Sequence, residues 1–118
     1  MDIKIEMDDD VIVLIPEGNL VASETEDFHS RIEKLAVYNV RFVLLDMGHI
    51  TFMDSSGLDA VMIISKHVTD GGGVFVCAAP HDNVLKVFRI TWADHKIPIA
   101  ATRADGLQMI RELRNGHV

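Results

Sequence analysis

At 118 residues, 48% of them apolar and 25% charged, the chain has room for one domain with one core and the balance of a globular protein, not a disordered or fibrous one. A formal net charge of -7 speaks against nonspecific nucleic-acid binding, which needs Lys and Arg to displace counterions from phosphates. No apolar run approaches the ~20 residues of a membrane-spanning helix, and Met1-Asp2-Ile3-Lys4-Ile5-Glu6 alternates where a secretory signal would be apolar. A cytoplasmic location without membrane insertion is therefore expected.

Ile3 to Met7 and Val11 to Ile15 have the alternation and length of strands, and Asp8-Asp9-Asp10 between them reads as a turn. Pro16-Glu17-Gly18 is expected to break the second strand. Ser23 stands three residues before Glu26, the spacing of a capping box, so a helix is expected from about Glu24 to Val37. Phe28, Ile32, Leu35 and Ala36 recur on one face of it. Arg41 to Asp46 is nearly continuously apolar, as in a strand covered on both faces at the centre of a sheet.

Ile50 to Met53 leads into Asp54-Ser55-Ser56-Gly57, and the helix that follows through Val68 has too many apolar positions for one stripe. Much of its circumference should be buried. Gly71-Gly72-Gly73 ends it, because glycine tolerates the left-handed conformation beyond a helix C-terminus. Val74 to Ala78 is the next strand, Pro80 opens a short helix through Ile90, and Ile97 to Ala101 is a short edge strand, since Pro98 lacks a donor. A last helix runs from about Ala104 to Arg114 with Leu107, Ile110 and Leu113 inward. The order predicts an α/β fold: a mixed, partly parallel sheet of four to five strands with about four helices, one domain over 1–118 with its core at about 3–114.

Catalytic and metal-binding patterns are missing. The histidines at 29, 49, 67, 81, 95 and 117 are scattered without ligand spacing or cysteine company, and no metal or other cofactor is expected. Cys77, inside an apolar strand, reads as a small buried hydrophobe, and Trp92 as a packing residue. The glycine triplet lacks the Lys-Ser/Thr of a phosphate cradle, and Ser55 and Ser56 lack the leading glycine of a nucleophile elbow. The chain is not expected to be an enzyme.

Asp54-Ser55-Ser56-Gly57 lies where an extended run passes into a helix. One reading is an N-cap, with Asp and Ser accepting from unpaired N–H groups. Another adds that a phosphate placed there meets free N–H groups and the positive end of the helix dipole, and so alters the surface without unfolding the domain.

The stretch Val43 to Leu58, with its Asp54-Ser55-Ser56-Gly57-Leu58, resembles the signature of STAS domains of the bacterial anti-sigma factor antagonist type. Order and spacing of elements agree from about Ile3 to Leu113, including Gly18-Asn19-Leu20 before the first long helix. The resemblance implies a partner switch. Unmodified, such a domain binds an anti-sigma factor that is also a serine kinase; phosphorylation of the serine after the aspartate, here Ser55, ends binding; a metal-dependent serine phosphatase restores it. The motif residues are then Asp54, Ser56, Gly57 and Leu58, and the implied partner surface includes Asn19, Leu20, Met53, Asp59 and Met62. The family commonly has Asp where this chain has Val21, and a small residue where it has Asp59. Similar domains also act on effectors other than sigma factors, or brace a transporter ATPase without switching.

Overall fold

The computed structural model describes residues 1–36 and 41–115. In chain order the elements are strands β1 (Asp2–Asp8) and β2 (Val11–Leu20), helix α1 (Ala22–Ala36), strands β3 (Phe42–Asp46) and β4 (Ile50–Met53) and helix α2 (Ser55–Asp70). Strand β5 (Val74–Ala78), helix α3 (Asp82–Ile90), a 3-10 turn (Ala93–His95), strand β6 (Ile99–Ala100) and helix α4 (Arg103–Asn115) follow. One sheet runs β1-β2-β3-β5-β6, with β4 paired to the far end of β2. β1 is antiparallel to β2; every other pairing is parallel. The sheet is thus mixed, as expected, but six-stranded, because Ile50 to Met53 pairs as a strand in its own right.

Strand alternation divides the core into two layers. Val43, Leu45, Phe75 and Cys77 pack with Phe28, Leu58, Val61, Ile64, Val84 and Phe88 from α1, α2 and α3. Val11, Val13, Ile15, Leu44 and Val76 face the other way, onto Ile110 of α4. The unbroken apolar run of β3 is explained by cover on both faces. Gly106 lets α4 sit close to the sheet, since a Cβ there would lie 2.5 Å from Leu44 Cδ1.

Pro16 does not end β2. Residues Val11 to Leu14 pair with β3 and Gly18 to Leu20 with β4, so on that side Ile15 to Glu17 stand between two ladders. A proline is tolerated there because the ladder is changing partners. The change is completed by a bulge between Gly18 and Asn19, with Gly18 at φ +109°. Gly72, at φ +82°, supplies the left-handed residue beyond α2.

Other expectations are corrected at helix ends and on the surface. α1 begins at Ala22, which places Ser23 inside the first turn and not at the cap. α3 begins at Asp82 with His81 as N-cap, so Pro80 precedes the helix. Leu113 is 38% exposed, because the face of α4 that meets the sheet runs through Gly106 and Ile110 to Arg114, which lies over the Phe42 ring. Trp92 is 67% exposed and is not a packing residue. Its left-handed backbone, φ 64°, reverses the chain from α3 into the 3-10 turn and carries the indole outward against the His95 ring, 4.8 Å away. The expected end of the first long helix at Val37, and the side chains of Leu35 and Ala36, lie outside the described residues.

Candidate functional site

β2 and β4 run parallel and side by side at their ends, with Asn19 opposite Phe52 and Leu20 opposite Met53. Each strand passes straight into a helix, β2 into α1 and β4 into α2. Two helix N-termini therefore emerge together from the C-terminal ends of neighbouring strands. Each carries N–H groups without intrahelical acceptors and the positive end of a helix dipole.

Asp54 lies between them. As N-cap of α2, with extended backbone at φ -101° and ψ -175°, it accepts from the Gly57 N–H through Oδ1 at 2.9 Å. Its second oxygen, Oδ2, accepts from the Ala22 N–H at the start of α1, 3.3 Å away. One carboxylate thus serves both helices. The Asp54 N–H itself donates to the Leu20 carbonyl at 3.4 Å. This bridge takes the place of the capping box expected at Ser23 and Glu26.

Gly57 makes the close approach possible. A Cβ on it would run into the carbonyl oxygen of Leu20 and lie 2.9 Å from Met53 Cγ. The need for glycine here is steric: the α2 backbone rests against the end of β2.

With Asp54 as cap, Ser55 occupies the first helical position and is exposed. Ser56 is half-buried, and Gly57 and Leu58 are buried beneath it. Asp59 is exposed and Met62 half-buried, one and two turns along α2 on the same stripe as Ser55. Asn19 is exposed, and its Oδ1 accepts from the Thr51 hydroxyl at 2.6 Å, which fixes its side chain across the β2–β4 pair. The Thr51 carbonyl accepts in turn from Asn83 of α3 at 2.7 Å, and the Gly48 carbonyl from His81 Nε2 at 2.8 Å. These bonds tie α3 to the loop and strand that deliver Ser55.

Two of the expected surface residues are not on the surface. Leu20 and Met53 are 0% and 1% exposed, because strand alternation turns both into the helical layer of the core. They support the site from below and cannot touch a partner. Phe52 and Ile63 are exposed instead, at 52% and 57%. Phe52 was legible in principle, as the alternate of Met53 in a strand with one buried face. Ile63 was hidden by the apolar excess of α2: the helix buries Leu58, Ala60, Val61, Ile64, Ser65 and Val68 but leaves Ile63 on the Ser55 stripe.

Among the described residues no three His, Cys, Asp or Glu side chains form a metal-binding group, and no helix is long and apolar enough to cross a membrane. Burial pushes the Cys77 thiol far up, which leaves it no nucleophilic thiolate.

Comparison with known proteins agrees with this architecture. A sequence profile described as the STAS domain matches residues 2–106. BtrV of Bordetella bronchiseptica, provisionally named an anti-sigma factor antagonist, is 24% identical over 102 residues, covering 85% of this chain and 88% of that one. A crystal structure from Thermotoga maritima, given the same provisional name, superposes with a TM-score of 0.88 at 22% identity, covering 92% of this chain and 94% of the other. The anti-sigma factor antagonist SpoIIAA in its unphosphorylated form gives a TM-score of 0.69 at 21% identity, over 93% and 98% of the two chains. The phosphorylated form of SpoIIAA, from Bacillus, gives 0.70 at 19%, over 92% and 99%.

Proposed function

The chain belongs to the STAS domain family, and from that premise we propose that it is an anti-sigma factor antagonist switched by phosphorylation of Ser55. The observation that carries the reading is an exposed serine at the first position of α2, with Asp54 already serving as the cap. Because Asp54 and not Ser55 holds the helix start, the serine is free to be modified without loss of a structural hydrogen bond.

In this mechanism the unmodified surface of Asn19, Phe52, Ser55, Asp59, Met62 and Ile63 docks on an anti-sigma factor that is also a serine kinase. The sigma factor is thereby released. The kinase transfers the γ-phosphoryl of ATP to Ser55 Oγ: the serine O–H bond and the bond from the γ-phosphorus to the bridging oxygen break, a new O–P bond forms, ADP leaves, and the proton passes to a base of the kinase or to water. The phosphate adds about -1.5 to -2 charges beside Asp54 and Asp59. Two aligned helix N-termini offset that charge within the domain, so the fold persists. A docked partner has no such compensation, and the apolar contacts at Phe52, Met62 and Ile63 must then be made beside a hydrated dianion. Binding is lost, and a separate metal-dependent serine phosphatase restores it. The domain itself performs no chemistry and needs no cofactor.

The test is intact-mass analysis after incubation with ATP and candidate anti-sigma kinases of the same genome, paired with a binding assay. One phosphoryl group is expected on the wild-type chain and none on Ser55→Ala, with Ser55→Asp binding the kinase at least tenfold more weakly. Modification of Ser55→Ala at Ser56, or a phosphorylated chain that binds as tightly as the plain one, refutes the proposal.

A further inference from the structure

The open edge of the sheet at β1 has a feature that the Ser55 surface does not use. Among the described residues β1 pairs with β2 alone. Its seven residues alternate strictly: Ile3, Ile5 and Met7 on one face, Asp2, Lys4, Glu6 and Asp8 on the other. The charged face is the α4 face, since Glu6 pairs with Arg103 of α4 at 2.6 Å. On the opposite face Ile3 is partly buried against the core, but Ile5 and Met7 are 51% and 62% exposed. Met7 lies opposite Ile12 of β2, which continues the apolar surface inward.

We propose that this edge is a self-association surface, occupied by β1 of a second copy of the chain in antiparallel register about a two-fold axis through Ile5. The register follows from the charges. With Ile5 on the axis, Ile3 meets Met7 of the second copy, and Lys4 meets Glu6 of the second copy on the other face. Lys4 already pairs with Glu17 at 3.3 Å, and Glu6 with Arg103. Joining the edges therefore extends these into an alternating row across the α4 face: Glu17, Lys4, Glu6 of the second copy, Arg103 of the second copy. The two-fold repeats the row in the opposite sense.

The alternatives are disfavoured by the same residues. A slip of two residues puts Lys4 against Lys4 or Glu6 against Glu6 on the axis, and like charges directly opposite are destabilising. A slip of one residue sets the apolar face of one strand against the charged face of the other. In the favoured register the like-charged Asp2 and Asp8 meet at the outer ends of the ladder, where water and salt screen them. Charged edge strands commonly act as protection against indiscriminate pairing; here the order of charges leaves one self-complementary solution. A single pair of seven-residue strands buries less than the ~1,600 Å² of a standard interface, so the dimer should be concentration-dependent. None of its residues belongs to the Ser55 surface, so a dimer presents two such surfaces at once.

Sedimentation velocity from micromolar to millimolar loading should show a monomer–dimer equilibrium in the wild-type chain, and a monomer at all loadings for Ile5→Lys with unchanged circular dichroism. Oxidative cross-linking fixes the register. Ile5→Cys places two thiols on the axis and should form disulfide dimers. Met7→Cys places them about 14 Å apart along paired strands and should not do so alone, but should cross-link when mixed with Ile3→Cys. Cys77, buried in the core, takes no part. A chain that stays monomeric throughout, or Ile5→Cys and Met7→Cys cross-linking at equal rates, overturns the proposal.

Discussion

Replacing Asp54 separates two roles that one carboxylate performs. Asp54→Ala removes the cap on Gly57 N–H, a change that costs about 1 kcal/mol at a typical helix start. It also removes the acceptor for the Ala22 N–H and a negative charge at the α1 N-terminus. That second bond is long, at 3.3 Å, and solvent-exposed, so about 0.5 to 1 kcal/mol is appropriate for bond and dipole together. The expected total is about 2 kcal/mol. Asp54→Ser keeps a good cap for α2, but a single short hydroxyl cannot also reach Ala22, so it should recover only the first part and remain about 0.5 to 1 kcal/mol below wild type. Urea unfolding measures these differences, and thermal unfolding should follow at roughly 3 to 6 °C per kcal/mol for a chain of this size. Hydrogen exchange locates them: Asp54→Ser should leave the first turn of α2 protected and that of α1 faster. If Ser and Ala lose the same stability, or if Ser matches wild type with α1 equally protected, the bridge between the two helices is not energetically real.

Three further outcomes follow from the packing and the charges. Gly57→Ala ordinarily favours a helix by about 1 kcal/mol, but here the new methyl meets the Leu20 carbonyl, which is backbone and cannot swing aside. A net loss of about 1 to 3 kcal/mol in chemical denaturation is expected, and a stabilised variant would refute the close approach. The Arg114 guanidinium, bonded to both Asp10 oxygens at 2.6 and 2.7 Å, holds the Asp10 carboxyl below the usual carboxylate range. Its contribution is complete above that range and is lost as the pH falls through the lowered value, so Asp10→Asn should lower stability at neutral pH and lose its effect at strongly acidic pH; a deficit that persists in acid contradicts this. Cys77, buried with its thiol pushed up, should react with a thiol reagent only at the rate of unfolding, and rapid labelling of the native chain would contradict its placement.

Sequence periodicity was sufficient for the α/β layering and the central position of Phe42 to Asp46, because these depend on which residues must leave water; the edge position of Ile99 and Ala100 was legible from the missing N–H of Pro98. The Asp54-Ser55-Ser56-Gly57 segment was likewise legible as a helix start, since capping chemistry is local. What the chain could not reveal on its own was what lies beside what. Pro16 looked like the end of a strand, yet β2 continues because its neighbour changes from β3 to β4 at that point. Leu20 and Met53 looked like docking residues, yet alternation within a paired strand turns them inward, while Phe52 and Ile63 remain outside. Asp54 was readable as a cap for one helix; only the parallel pairing of β2 with β4 brings Ala22 within reach of its second oxygen. Hydrophobic pattern and capping act over a few residues and are written in order along the chain, whereas a bond between residues 22 and 54 exists only after the sheet has set two distant strand ends side by side.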